Sequence, residues 1–229
     1  MTTDPEEMKR LTVKAHMAGI RVSIHSIGDR GIDLALDAIE KAQRLKPAPD
    51  MRHRIEHNSL CTPKQLKRIK ELGVAPSSSI GYMWGIGDDY VENFGAERAR
   101  WLHPHKAMMK MGIIAGGNSD CPVSDGNPLI QIYEAVTRKT RTGQVVGPDE
   151  AITVIDAIRL YTWNGACLGK EEEIKGSIEP GKLADMVVLD RDILSVSPEE
   201  IKDIKALMTI VEGKVVYRAD SGLGLLATS

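Results

Sequence analysis

The sequence predicts an α/β chain built on a parallel, barrel-type sheet, and three observations carry that expectation. Short strand-like runs alternate with amphipathic, helix-like segments along most of the length. Three of the runs close on a metal-type residue: Arg21-Val-Ser-Ile-His25, Arg52-His-Arg-Ile-Glu-His57 and Ile113-Ile-Ala-Gly-Gly-Asn-Ser-Asp120. Their separations, 57 − 25 = 32 and 120 − 57 = 63 residues, match one and then two strand-helix repeats of roughly 30 residues. In a parallel barrel the C-terminal strand ends meet at one mouth. Two imidazoles and a carboxylate meeting there suit zinc or a similar divalent ion.

The elements follow in order. Pro5 to Ala18 reads as a helix with Leu11, Ala15 and Ala18 on one face, ended by Gly19. Arg21–His25 is a strand; Val22 and Ile24 turn to the helices, and Arg21, Ser23 and His25 to the lumen. Gly31 to Leu45 is a second helix, with Asp29 as its cap. Pro47 and Pro49 interrupt before the strand ending at His57, on which alternation places His53, Ile55 and His57 on one face and turns Glu56 away. Thr62-Pro63 is an N-cap and first-position pair opening a helix to Leu72. Val74–Ser79 is a weaker strand. Ile80 to Asn93 reads as an irregular loop over the site, offering Tyr82 and Trp84 to a substrate. Ala96 to Met111 is helical, divided by Pro104; His103 and His105 are expected in a surface loop. The strand ending at Asp120 precedes helices over Pro128–Thr140 and Thr153–Leu168. Strand and glycine-turn signals then dominate, over 176–190 and 206–218.

Composition bounds the function. A length of 229 residues, 42% hydrophobic and 27% charged, describes an ordinary globular protein. A net charge of −2 makes no electrostatic case for nucleic acid or an anionic membrane. Cys61, Cys121 and Cys167 are dispersed and odd in number, which suits a reducing cytoplasm, with Cys121 expected as a buried small residue. No apolar run has the length of a membrane span. Aromatic content is 4%, so aliphatic residues and Met must build the core.

Three motifs, Ile24-His-Ser-Ile-Gly-Asp-Arg30, Arg54-Ile-Glu-His57 and Asn118-Ser-Asp-Cys-Pro-Val123, together resemble successive motifs of the amidohydrolase superfamily, in particular amidohydrolase family 3. The stretches Gly176 to Asp190 and Val211 to Tyr217 resemble the β segment that follows the barrel in that family. The resemblance implies that His25 and His57 are the metal ligands of the fifth and sixth strands of a TIM-type (β/α)8 barrel. It implies that Asp120, on the eighth strand, binds metal and moves a proton during hydrolysis of an amide-like C–N bond. Residues 1–170 are then the C-terminal half of the barrel, strands five to eight. Residues 171–218 are part of a small β-sandwich unit, and 219–229 are a flexible tail.

The departure from the family pattern matters equally. Family members open with a His-x-His pair on the first strand and carry a Lys or Glu bridging ligand on the fourth, and neither is in place here. The sole His-x-His, His103-Pro-His105, falls well after the sixth strand. Four strands of a barrel leave two open edges. The expectation is therefore a fragment or split half of an enzyme, or a self-pairing homo-oligomer. The alternative is a non-catalytic half-barrel that serves as an assembly module.

Overall fold

The structure is a computed structural model, and it describes residues 3–219. Of the tail expected from 219 onward, all beyond Ala219 lies outside the described residues. Helix α1 (Pro5–Met17) starts where Asp4 accepts the Glu7 N–H at 3.1 Å and Pro5 takes the first turn. Strand β1 (Ser23–Ser26), helix α2 (Asp29–Leu45), strand β2 (Arg54–His57), helix α3 (Pro63–Glu71) and strand β3 (Ala75–Ser78) then alternate as the pattern predicts. Gly28, not Asp29, is the N-cap of α2. Asp29 is the first helical residue, and its carboxylate accepts the N–H of Arg30. Helix α3 carries a full capping box between Thr62 and Gln65.

Residues 82–94 depart from expectation. They form a helix, α4 (Tyr82–Phe94), bent at Ile86, rather than an irregular loop. Its glycines argue against a helix locally, but packing overrides them. The Trp84 N–H is held by the Glu134 carboxylate, and Gly87 lies where an added Cβ would stand 2.7 Å from the Thr140 methyl. Short helices α5 (Ala96–Ala99) and α6 (His105–Lys110) flank the break at Pro104. Strand β4 pairs over only Gly116–Gly117. Here the glycines are demanded by contact: a Cβ on Gly116 would meet Leu168 at 2.9 Å, and one on Gly117 would meet the Tyr161 ring at 2.4 Å. Helix α7 (Pro128–Thr137) follows. The single helix expected over Thr153–Leu168 is two, α8 (Val154–Tyr161) and α9 (Trp163–Gly169), broken at Thr162.

The first four strands form one parallel sheet in the order β1-β2-β3-β4. Strands β5 (Met186–Leu189), β6 (Ala206–Val211) and β7 (Lys214–Arg218) form a separate antiparallel sheet. One face of the parallel sheet is apolar. Ile24, Ile55 and Ala115 pack there on Leu36 and Ile39 of α2 and Leu66 and Ile69 of α3. Each fully buried Ile or Leu contributes about 1.5–3 kcal/mol relative to exposure. Ile55 thus faces the helices, contrary to the alternation that grouped it with His57 and the lumen. A second core joins α4, α7 and α8 through Met83, Ile132, Tyr133 and Leu160. Among the described residues no helix is long and apolar enough to cross a membrane.

Candidate active site

The other face of the parallel sheet is polar. Ser23, His25, Arg54, Glu56, Ser77, Asn118 and Asp120 line an open cavity of about 450 Å³. Parallel register sets Ser23 beside Arg54 and His25 beside Glu56. Glu56 accepts from Ser23 and pairs with Arg54 at 2.8 Å, so it lines this face instead of turning away from it. His57, by strict alternation, would then face the helices. It does not, because the backbone turns left-handed at His57 (φ 68°) and Asn58 (φ 44°). That turn swings the His57 imidazole to the C-terminal end of the sheet. Asp120 adopts the same unusual backbone, at φ 52°.

The three expected metal ligands come together. His25 Nδ1 lies 2.7 Å from His57 Nε2, and Asp120 Oδ2 lies 4.0 Å from His57 Nδ1. Around them stand side chains that sequence reasoning gave no catalytic role. The Ser79 hydroxyl donates to Asn118 Oδ1 at 2.7 Å, so at 2.9 Å it accepts from His57 Nδ1. This sets the proton of His57 on Nδ1 and leaves the Nε2 lone pair facing His25. The clue was the run Ser77-Ser-Ser79 at a strand end, paired with the Asn118 of the third motif. Burial, then His25, draws the His57 pKa below its ordinary value, with Asp120 and Glu56 acting against them.

Tyr82 is buried and belongs to this cluster. Its hydroxyl donates to Asp120 Oδ2 at 2.6 Å and lies 3.2 Å from His57 Nδ1, and the two rings stack at 5.7 Å. Burial, reinforced by the bond to Asp120, raises its pKa. Trp84 turns elsewhere, its ring edge-on to Tyr133 at 5.8 Å. His103 and His105 are not surface residues. Both are buried, His103 bonded to Ser78 at 2.9 Å, and burial pushes the His105 pKa down to about 3. Cys121, expected buried, is exposed.

Two imidazoles and a carboxylate are a suitable donor set for a divalent ion, and the His57 tautomer suits coordination through Nε2. The arrangement does not yet suit it. Two nitrogens on one ion, each at about 2 Å, stand farther apart than a hydrogen-bonded pair, and here the Nε2 lone pair is taken by His25. Among the described residues no three His, Cys, Asp or Glu side chains are arranged around one ion.

A family model described as amidohydrolase family matches residues 1–217. An N-substituted formamide deformylase of Arthrobacter pascens is 34% identical over 92% of the chain and 39% of its own length. A putative amidohydrolase, YtcJ, of Bacillus subtilis (strain 168) is 29% identical over 93% of the chain and 40% of its own length. The crystal structure of an uncharacterized metal-dependent hydrolase from Pyrococcus horikoshii OT3 superposes with a TM-score of 0.73 at 34% identity, covering 86% of this chain and 39% of that one. The chain therefore spans about 40% of the length of these relatives. With the match running from the first helix to the last strand, the chain belongs to the amidohydrolase family.

Proposed function

We propose that residues 1–170 are strands five to eight, with their helices, of a metal-dependent hydrolase barrel acting on an amide-like C–N bond outside peptides. Residues 171–218 are read as part of its small β domain. The observation that carries this reading is the convergence of His25, His57 and Asp120 at the C-terminal ends of adjacent strands, with the His57 tautomer held by Ser79. The printed name of the Arthrobacter relative suggests an N-formyl or similar N-acyl substrate. Three unpaired cysteines suit a reducing, cytoplasmic setting.

His25, His57 and Asp120 would hold a divalent ion, zinc by donor type, once the bond between the two imidazoles opens. When bound, such an ion lowers the pKa of a coordinated water to about 7 and polarises a carbonyl. Asp120 takes up a proton and returns it to the leaving nitrogen. Tyr82 fixes one oxygen of that carboxylate, leaving the other for proton transfer. The polar face between Ser23 and Asn118 orients the substrate.

Zinc titration of the purified chain by calorimetry, with turnover assays on formamide and N-acyl substrates, tests the reading. We expect weak binding that His25→Ala, His57→Ala and Asp120→Ala each abolish, and little or no hydrolysis, because the family's remaining donors come from another part of its barrel. Binding unaffected by these substitutions would reject the ligand assignment. Robust turnover by this chain alone would reject the view that it holds part of a site. A non-catalytic assembly module is the second reading, favoured by the absence of a three-donor arrangement among the described residues. No zinc binding, even with a complementary barrel half added, would select it.

A further inference from the structure

At the opposite end of the sheet from Asp120, two buried imidazoles stand in series. His16, on α1, is 1% exposed, and His53, just before β2, is fully buried. The Val22 N–H donates to His53 Nδ1 at 3.0 Å, so that nitrogen bears a lone pair and the ring proton is on Nε2. His53 Nε2 lies 2.9 Å from His16 Nδ1, which therefore accepts, and His16 Nε2 donates to the Lys46 carbonyl at 2.7 Å. All four ring nitrogens are thereby assigned, with one proton on each ring. An added proton has nowhere to go without loss. On His53 it meets the Val22 N–H, and on His16 it meets the His53 Nε2–H.

The pair is the polar part of the hold on α1, whose half-buried residues also pack against α2. Thr12 and His16 are the buried residues of α1, and both are polar, whereas α2 buries Ile32, Leu36, Ile39 and three alanines. Leu11 and Met17 are about half exposed. The ion pairs of α1, Lys9–Glu6 and Arg10–Glu7, are internal to the helix. Nearby charge favours a neutral His53 as well. Arg21, on the connection from α1 to β1, acts on His53; Lys46, at the end of α2, directs its ammonium to the Met17 carbonyl at 3.4 Å. Arg52, adjacent in sequence, turns to Asp50 and Glu172. Helix α1 also walls an apolar cavity of about 840 Å³ beside β1, lined by Met8, Leu11, Ile20, Val22, Ile24 and, at its upper end, His25.

We propose that His16 and His53 form a proton-operated latch holding α1 to the sheet, and that proton uptake releases α1 and removes one wall of the cavity beside β1. The sign follows from burial, which draws His53 down to about 4 from its ordinary 6.5. Released α1 leaves an imidazole that binds a proton between those limits, while the latched form does not. Opening is therefore favoured as pH falls below 6.5. From pH 7.5 to 5 one such group raises the opening constant roughly 30-fold. The device is independent of the hydrolase reading, since its readouts need neither metal nor turnover.

Amide exchange read by mass spectrometry, corrected for the intrinsic pH dependence, tests it on the full chain. Protection over Pro5–Met17 is expected to fall roughly 30-fold between pH 7.5 and 5 while α2 and α3 keep theirs. An unchanged α1, or an equal fall in every helix, overturns the proposal. His53→Gln carries no charge at either pH and is expected to abolish the difference; a variant retaining it overturns the latch. Should that variant not fold, imidazole ¹⁵N shifts of the unsubstituted chain decide. They are expected to show His53 protonated on Nε2 alone from pH 7.5 to 5.5. Titration of His53 near 6.5 overturns the proposal.

Discussion

Single side chains in this molecule do their work through where their polar atoms end. Glu134 is fully buried on α7, with one oxygen accepting the Trp84 N–H and the other without a partner. Burial raises its pKa well above the ordinary value despite Arg138 and that backbone bond. A raised folded pKa means the folded chain keeps a proton that the unfolded chain loses above about 4.5. Its stabilising contribution is therefore present at low pH and lost as pH rises through the folded pKa. Glu134→Gln keeps an acceptor for Trp84 without the ionisation. We expect the variant to gain on the natural chain above pH 5, by up to about 1.4 kcal/mol per pH unit. Urea denaturation at pH 5, 6.5 and 8 measures it, and parallel curves at all three would contradict the assignment.

At the scale of elements, helix starts and strand ends show local chemistry most plainly. Helix α3 begins with Thr62 accepting the Gln65 N–H at 3.5 Å and Gln65 accepting the Thr62 N–H at 2.9 Å. Thr62→Ala removes one half of that exchange. The expected cost is about 1 kcal/mol, read as a lower urea midpoint with unchanged slope. A neutral result would mean that packing of Leu66 and Ile69 alone positions the helix. Helix α4 shows the reverse case. Its stretch Gly85-Ile-Gly87 reads as a loop and keeps a kink at Ile86, while packing of Met83 and the bond from Trp84 N–H to Glu134 hold the helix around it.

At the scale of the whole molecule, two surfaces lack cover. Among the described residues strand β1 has a neighbour on one side only, and the cavity between α1, β1 and α2 is mainly apolar. Strand β7 exposes Val215, Val216 and Tyr217. An unpaired edge beside an apolar cavity favours a partner. We expect the chain to associate, either two-fold with itself so that β1 of one copy meets β4 of another, or with a complementary barrel half. Light scattering on the purified chain, alone and with such a half, checks this. A well-dispersed monomer that unfolds cooperatively and ignores the added half would refute both forms.

The sequence by itself determined the alternation of strand and helix, the parallel sheet, the family, and the identity of His25, His57 and Asp120 as residues that meet. These rest on local periodicity and on motifs whose order along the chain maps directly onto neighbouring strands. Tertiary structure decided the rest. Alternation put Ile55 on the lumen with His57. The left-handed backbone at His57 and Asn58 separates the two, and no period of two can foresee such a turn. The proton on His57 Nδ1, the hold of Tyr82 on Asp120 and the pairing of His16 with His53 join residues 22, 38 and 37 positions apart. Hydrogen bonds over such separations leave no periodic trace, because they depend on three-dimensional approach and on which polar groups burial denies to water.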